Sequence, residues 1–139
     1  MLTLNREWSD GDVVLLTLPM QPARIPCYHQ AACVARGPLR FAYAPKTQGG
    51  TNEEGYALLA AGEPFGLALV GEASLEAEES EDGVVIVTRA ISLPDWGMRG
   101  PSCDQPPLVL PRDAQGESFP VRLVPYARAV IRLCALPVV

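Results

Sequence analysis

The sequence has little of what nucleic-acid-binding and membrane proteins require. It carries 11 basic residues against 16 acidic ones and has a net charge of -5, so no basic stripe is available to neutralise a phosphate backbone. Its apolar runs are far shorter than the roughly 20 residues that a transmembrane helix needs. We therefore expect no nucleic-acid partner and no membrane span.

Recognisable catalytic motifs are also missing. The sequence contains no Gly-x-Ser-x-Gly elbow, no phosphate-binding glycine loop and no His-Glu-x-x-His helix. A glycosidase needs two carboxylates facing one sugar at a fixed separation, and the 16 acidic residues favour no particular pair. The opening sequence, MLTLNREWSDGD, lacks the layout of a secretory signal. We expect a cytoplasmic chain with no catalytic residue of its own.

The four cysteines, Cys27, Cys33, Cys103 and Cys134, form no CxxC pair. A chain of 139 residues does not need disulfides to complete its core, so the thiols are predicted to be reduced and buried. Cys27, His29 and Cys33 offer three candidate zinc ligands on a short arc, whereas structural zinc sites use four well-spaced ligands. We expect neither a metal ion nor a cofactor in this chain.

Proline and glycine indicate the fold class. The 14 prolines and 12 glycines separate short apolar runs over the whole length, which is typical of an all-β sandwich. The length suits one domain, residues 1–139. We predict an antiparallel, jelly-roll-like β-sandwich with at most one short helix.

Individual elements follow from alternation of apolar and polar residues between turn signals. Residues 46–52 are predicted to form an exposed loop, and the next segment fits either a short helix or a strand at 56–59. The acidic residues between 76 and 82 are predicted to be a solvated hairpin tip. The other predicted strands cover residues 12–18, 33–35, 39–44, 119–124 and 129–133, with a hairpin between 67 and 91 that turns at 80–83.

The two tryptophans are candidate sugar contacts because flat aromatic faces stack on sugar rings. Trp8 begins the first predicted strand and is expected in the core. Trp96 lies in the loop DWGMRGPSC, where Asp95 and Arg99 could donate or accept hydrogen bonds. We predict Trp96, Asp95 and Arg99 as carbohydrate contacts, with structural packing of Trp96 as the alternative.

Several stretches, taken in order, resemble the C-terminal β region of bacterial β-L-arabinofuranosidase-like proteins of glycoside hydrolase family 127. The resemblance runs from about Asn5 to the C-terminus, although EPFGLAL lacks the tryptophan and asparagine that the family commonly has there. The matching stretches are Arg6-x-Trp8 with the Gly11-Asp12 turn and Leu18-Pro19-Met20, then Arg36-Gly37-Pro38-Leu39, Trp96-Gly97, Pro106-Pro107 and the closing LVPYARAVIRLCALPVV.

The resemblance implies that the chemistry lies elsewhere. Family members use a cysteine nucleophile beside a zinc ion in an upstream (α/α)6 barrel, and none of that barrel is in this sequence. Zinc is therefore expected only in the absent catalytic domain. The resemblance implies a non-catalytic sandwich that packs against a helical-barrel domain or subunit.

Two other hypotheses stay open. The chain could be a carbohydrate-binding module for arabinose-containing glycans, which requires an exposed aromatic platform. It could instead be a free-standing interaction subunit, for which homo-oligomerisation through the barrel-facing surface is expected. An exposed apolar patch would favour the accessory role.

Overall fold

The computed structural model describes residues 3–53, 57–81, 83–99, 102–103, 105–107 and 116–139. These residues contain no α-helix, only two 3₁₀ turns, Tyr28–Gln30 and Tyr126–Arg128. No helix among them is long and apolar enough for a membrane crossing. The predicted all-β, antiparallel fold is confirmed, since the strands form one curled, sandwich-like sheet and smaller two-stranded pairs.

Eleven strands are defined in this part of the chain, and β8 is the longest. They are β1 (Pro22–Pro26), β2 (Ala32–Arg36), β3 (Leu39–Tyr43), β4 (Thr47–Thr51), β5 (Ala57–Leu59), β6 (Leu67–Leu69), β7 (Glu76–Ser80), β8 (Gly83–Ser92), β9 (Met98–Arg99), β10 (Ser102–Cys103) and β11 (Phe119–Pro125).

The main sheet has seven strands in the order β1-β2-β3-β11-β8-β6, with β7 also paired to β8. All of these pairings are antiparallel. β6 pairs with the second half of β8 and β7 with the first half, so one strand organises three neighbours. The Val- and Ile-rich sequence of β8 suits this position because β-branched side chains pack well on a pleated surface.

The core lies on the inner face of this sheet. Ile86 in β8 and Leu123 in β11 are fully buried and directly opposite each other in the register. Phe41 in β3 and Leu67 in β6 belong to the same apolar cluster. The predicted strands at 33–35, 39–44 and 119–124 and the hairpin that turns at 80–83 are confirmed.

The C-terminal tail, residues 133–139, joins distant parts of the sheet. Tyr43 of β3 and Leu133 exchange backbone hydrogen bonds of 2.9 and 3.0 Å. Ala32 of β2 and Leu136 do the same at 2.8 and 2.9 Å. Leu69 of β6 then forms a parallel bridge with Val138. The tail therefore connects β2 and β3 with β6, which is the last strand on the opposite side of the sheet.

A second contact brings the two sides of the sheet together. The guanidinium of Arg24 in β1 donates from Nη2 to the carbonyl oxygens of Val70 and Ala73, at 3.0 and 2.7 Å. Both acceptors follow β6 in sequence. Gly71, between them, donates its N–H to the Val139 carbonyl at 2.7 Å, and a Cβ at Gly71 would lie 3.0 Å from that same oxygen. The tail therefore packs closely against Gly71, and a side chain there would displace the Val139 carbonyl by a few tenths of an ångström.

Because the tail bonds to the ends of several strands, the predicted strand at 129–133 is wrong. The segment leaves the turn Tyr126–Arg128 through bends instead of pairing along one neighbour. Ala129 and Leu133 are nevertheless buried, so the alternation correctly identified two core residues.

The predicted strand at 12–18 is also wrong. Residues 3–20, the N-terminal arm, form no strand and make no ladder with the sheet. Val13 and Leu15 are 86% and 87% exposed, and Trp8 is 53% exposed instead of lying in the core. Apolar alternation needs a neighbouring strand to become a ladder, and none of the described strands takes that position.

The segment after β3 is exposed as predicted, but it is a strand and not a loop. β4 pairs with β5 across an irregular register, and both Gly49 and Gly50 have positive φ angles. Of the two structures considered for the following segment, the strand is confirmed over Ala57–Leu59. Residues 54–56 lie outside the described part of the chain.

Removing the Leu136 side chain tests the role of the tail. Leu136 is 1% exposed and belongs to the core cluster. Leu136→Ala should lower the free energy of unfolding by about 2–5 kcal/mol, because it removes buried methyl groups and leaves a cavity. Urea denaturation measures this change. The control Val130→Ala, at a site that is 79% exposed, should change stability by less than about 0.5 kcal/mol. Equal effects would show that the tail adds little to the core.

Candidate functional site

A two-lobed groove, here called the Lys46 groove, lies beside the start of β4. One lobe has a volume of about 590 Å³ and the other about 390 Å³. The lobes share Ala44, Lys46 and Val124, so they form one continuous surface. Both volumes fall in the range of about 300–1,000 Å³ typical of small-molecule sites.

Lys46 lies between the lobes because of the local chain path. It follows β3 and precedes β4, and its carbonyl accepts a 2.9 Å hydrogen bond from the Ala60 N–H at the base of the β4–β5 hairpin. The hairpin therefore leaves the main sheet at Lys46, and the lysine side chain is exposed there. An ammonium group at the junction can contact a ligand in either lobe.

The smaller lobe contains a fixed carboxylate. The buried Tyr43 hydroxyl lies 2.9 Å from Glu63 Oε1 and 2.7 Å from the Pro64 carbonyl oxygen. Burial, and then the hydrogen bond and charge of Glu63, raise the pKa of Tyr43, so the phenol stays protonated and donates. Glu63 is held at the edge of the lobe as an acceptor for ligand hydroxyl groups.

Cationic side chains predominate around the groove. Arg128 lines the larger lobe and Arg122 the smaller one, in addition to Lys46. Arg122 Nη1 also donates to Glu78 Oε2 at 3.1 Å, and both side chains are about half exposed, so this ion pair adds little stability. The groove is thus locally basic in a chain of net charge -5, and it suits a ligand rich in hydroxyl or acidic groups.

Sequence reasoning did not identify this groove. Its polar side chains come from separated segments: Lys46 precedes β4, Glu63 follows β5, Arg122 lies in β11 and Arg128 in the turn after it. No spacing rule connects such positions, and only the antiparallel contact of β3 with β11 brings them together.

The predicted sugar-contact residues are placed differently. Trp96 is only 5% exposed and belongs to the core cluster, which leaves no free ring face for stacking on a sugar. Asp95, beside it, is exposed. Arg99 lies in β9, and its side chain is outside the described part of the structure. Carbohydrate contact by Trp96, Asp95 and Arg99 stays a prediction, and the burial of Trp96 does not favour it.

Backbone contacts hold the Trp96 loop against β6. The Trp96 N–H donates to the Leu93 carbonyl at 3.0 Å, and the Leu93 N–H donates to the Gly66 carbonyl at 2.9 Å. A Cβ at Gly66 would lie 2.1 Å from the Trp96 carbonyl oxygen and 2.6 Å from that of Leu93. Only glycine permits this approach, which is what buries the tryptophan.

The cysteines with described side chains, Cys27, Cys33 and Cys134, are free and half-buried in this structure. Burial and the adjacent Cys27 raise the pKa of Cys33 to about 12. His29 Nδ1 lies 3.1 Å from the Pro106 carbonyl oxygen. Within the described ranges, no group of three or more His, Cys, Asp or Glu residues is arranged to hold a metal ion.

Comparison with protein-family models, with curated proteins and with solved structures finds no match to this chain.

A substitution at Gly66 tests the packing of the Trp96 loop. Gly66→Ala should destabilise the fold by about 1–3 kcal/mol or more, because two backbone carbonyls must move to admit the methyl group. Thermal unfolding monitored by tryptophan fluorescence measures the loss. The matched control is Gly97→Ala, where a Cβ meets nothing within 4 Å. Equal melting temperatures for the two variants would contradict the close contact.

Proposed function

We propose that this chain is a non-catalytic accessory β-sandwich of a β-L-arabinofuranosidase-like glycoside hydrolase that packs against an (α/α)6 catalytic barrel. The zinc and the cysteine nucleophile of such an enzyme would belong to the barrel. The observation that carries the proposal is the apolar surface of the N-terminal arm, which the described part of this chain leaves uncovered. Soluble proteins rarely expose a continuous apolar segment unless it binds a partner.

The arm accounts for most of the exposed large apolar side chains. Eight of the 13 such residues in the described part of the chain fall within residues 3–20: Leu4, Trp8, Val13, Val14, Leu15, Leu16, Leu18 and Met20. At full burial, these side chains could supply much of the roughly 800 Å² that each partner contributes to a standard interface. The other exposed apolar residues are scattered over the sheet and form no comparable segment.

The base of the arm is organised although its apolar residues are exposed. Arg6 Nη2 donates to Asp12 Oδ2 at 2.9 Å, and the Ser9 N–H donates to the same oxygen at 2.8 Å. The Arg6 guanidinium also lies 5.0 Å from the centre of the Trp8 ring. These contacts fix the turn that precedes residues 13–18, which reduces the conformational entropy lost when the segment docks.

Docking can be tested with one pair of matched substitutions. The chain is mixed with an (α/α)6 catalytic domain of a β-L-arabinofuranosidase, and binding is measured by calorimetry. Val13→Asp should weaken binding at least tenfold, because about 1.4 kcal/mol is enough for that factor and a buried unpaired carboxylate costs more. Val130→Asp introduces the same charge at another exposed valine and should leave the affinity unchanged.

Three results would overturn the proposal. Two concern binding: equal affinity of both variants, and no binding by the unmodified chain. The third is hydrolysis of an arabinofuranoside by the chain alone, since an accessory sandwich should be inert. Circular dichroism of each variant establishes that a loss of binding is not a loss of fold.

A second candidate function, recognition of arabinose-containing glycans, is favoured by the Lys46 groove. The groove combines hydroxyl-binding groups, Lys46 and Glu63, with the half-buried Phe119. Sugars are commonly held by such polar groups beside an apolar or aromatic wall. This function would be compatible with an accessory role, because the groove and the arm use different residues.

Glycan binding can be measured on an arabinan-oligosaccharide array and by titration calorimetry. Lys46→Ala should reduce the affinity about tenfold, because a hydrogen bond to a charged group is worth about 1.5–3 kcal/mol. Arg40→Ala removes an exposed cation that lines neither lobe and should bind as tightly as the unmodified chain. The absence of binding, or equal loss in both variants, would exclude the groove as a glycan site.

A further inference from the structure

Three cysteines lie together at one end of the sheet, two of them in the β1–β2 hairpin and the third far away in sequence. Cys27 directly follows β1, Cys33 is the second residue of β2, and Cys134 lies in the C-terminal tail. All three are free and half-buried. The neighbouring thiols contribute electrostatically to the raised pKa of both Cys33 and Cys134, which indicates that the three groups lie near one another.

The β1–β2 register explains the contact between Cys27 and Cys33. Ile25 is paired with Cys33, and the Cys27 N–H donates to the Ala31 carbonyl at 2.8 Å. Cys27 therefore lies opposite Ala31, two positions from Cys33 on the neighbouring strand. Residues two apart on a strand share a face, so the two cysteines are diagonal neighbours on the same face.

The tail brings the third thiol to this end. Leu136 and Ala32 exchange backbone hydrogen bonds at the start of β2, which places the preceding tail residues beside the same hairpin. Cys134 interacts electrostatically with Cys27, and Cys33 with Cys134. Of these pairs, Cys27 and Cys33 are the one that the β1–β2 register places on the same face of neighbouring strands.

The turn between the two cysteines holds an unusual backbone conformation. His29 and Gln30 have φ angles of 54° and 58°, which non-glycine residues rarely adopt. Strained backbone of this kind persists only where surrounding contacts impose it, and it is concentrated at functional positions. The contact of His29 Nδ1 with the Pro106 carbonyl is one such restraint. The turn connects β1 with β2 and so holds Cys27 near Cys33.

We propose that Cys27 and Cys33 are a redox-active pair that forms a disulfide by exchange with a small disulfide such as oxidised glutathione. The Cys27 thiolate attacks the small disulfide and releases one thiolate. The Cys33 thiolate then attacks the mixed disulfide at the Cys27 sulfur and releases the second. The protein loses two electrons and two protons, and one small disulfide is reduced to two thiols.

The order of attack follows from the environment of Cys33. Burial and the neighbouring Cys27 raise the pKa of Cys33, so this thiol is the poorer initial nucleophile. Once Cys27 is in the mixed disulfide, its sulfur carries no proton or charge. The repulsion from Cys27 that opposes ionisation of Cys33 is then removed, while burial, the larger cause of its raised pKa, remains.

The expected consequence is a covalent link between the edge strand β1 and β2. β1 is the outermost strand of the main sheet and immediately follows the N-terminal arm. Closing the loop between the cysteines restricts the unfolded chain and should raise the melting temperature by several degrees. This inference does not rest on the proposed accessory function, because it concerns residues outside the arm and the Lys46 groove.

The pairing is tested by peptide mass spectrometry of the Cys103→Ser chain, in which only the three clustered thiols remain. After incubation with oxidised glutathione and alkylation, we expect a Cys27–Cys33 cross-linked peptide, an alkylated Cys134, and a higher melting temperature that dithiothreitol reverses. An additional Cys134→Ser substitution should leave this disulfide unchanged. An additional Cys33→Ser substitution should instead trap glutathione on Cys27.

Three outcomes would overturn the proposal. They are no reaction at Cys27, a stable glutathione adduct on Cys27 while Cys33 is present, and a cross-link that involves Cys134 in place of Cys33. Circular dichroism under reducing conditions shows whether each serine variant is folded before oxidation, so a missing disulfide can be distinguished from a lost structure.

Discussion

The fold depends on the hydrogen bonding of a seven-residue tail to the neighbouring strands β2 and β3 and also to β6, at the far end of the sheet order. Residues 133–139 bond to β3, β2 and β6 in turn, at N···O distances between 2.7 and 3.0 Å. The edges and strand ends of a curled sheet carry backbone N–H and C=O groups that need partners. Leaving such groups buried and unpaired lowers the stability of the fold. The tail supplies these partners, while Leu133 and Leu136 fill the space between the strands. Arg24 reinforces the closure from β1 through its two carbonyl acceptors.

The same closure positions the surfaces to which function is assigned. The turn before the tail contributes Arg128 to the Lys46 groove, and the tail itself contributes Cys134 to the thiol cluster. Trp96, in contrast, is drawn into the core by the approach of its loop to Gly66. The Lys46 groove and the thiol cluster thus lie outside the core, whereas Trp96, predicted as a sugar contact, packs within it.

The N-terminal arm differs from the apolar strands of the described sheet because no described strand pairs with it. Its composition favours a strand, yet a strand is stable only when its backbone groups and one face have partners. The accessory role proposed for the chain gives the arm such a partner in a second domain. The strand β1, which the thiol pair can link to β2, directly follows the arm and joins it to the main sheet.

Much of the fold was determined by local sequence alone. Alternation and turn residues correctly predicted an all-β chain, the strands around Phe41 and Leu123, and the hairpin with its glycine turn, because each depends on neighbours in sequence. The same alternation failed at residues 12–18 and 129–133, where the outcome depended on whether a distant strand was available for pairing. The groove, the burial of Trp96 and the approach of Cys134 to Cys27 and Cys33 were decided only by tertiary structure, since they join residues whose separation along the chain carries no signal of contact.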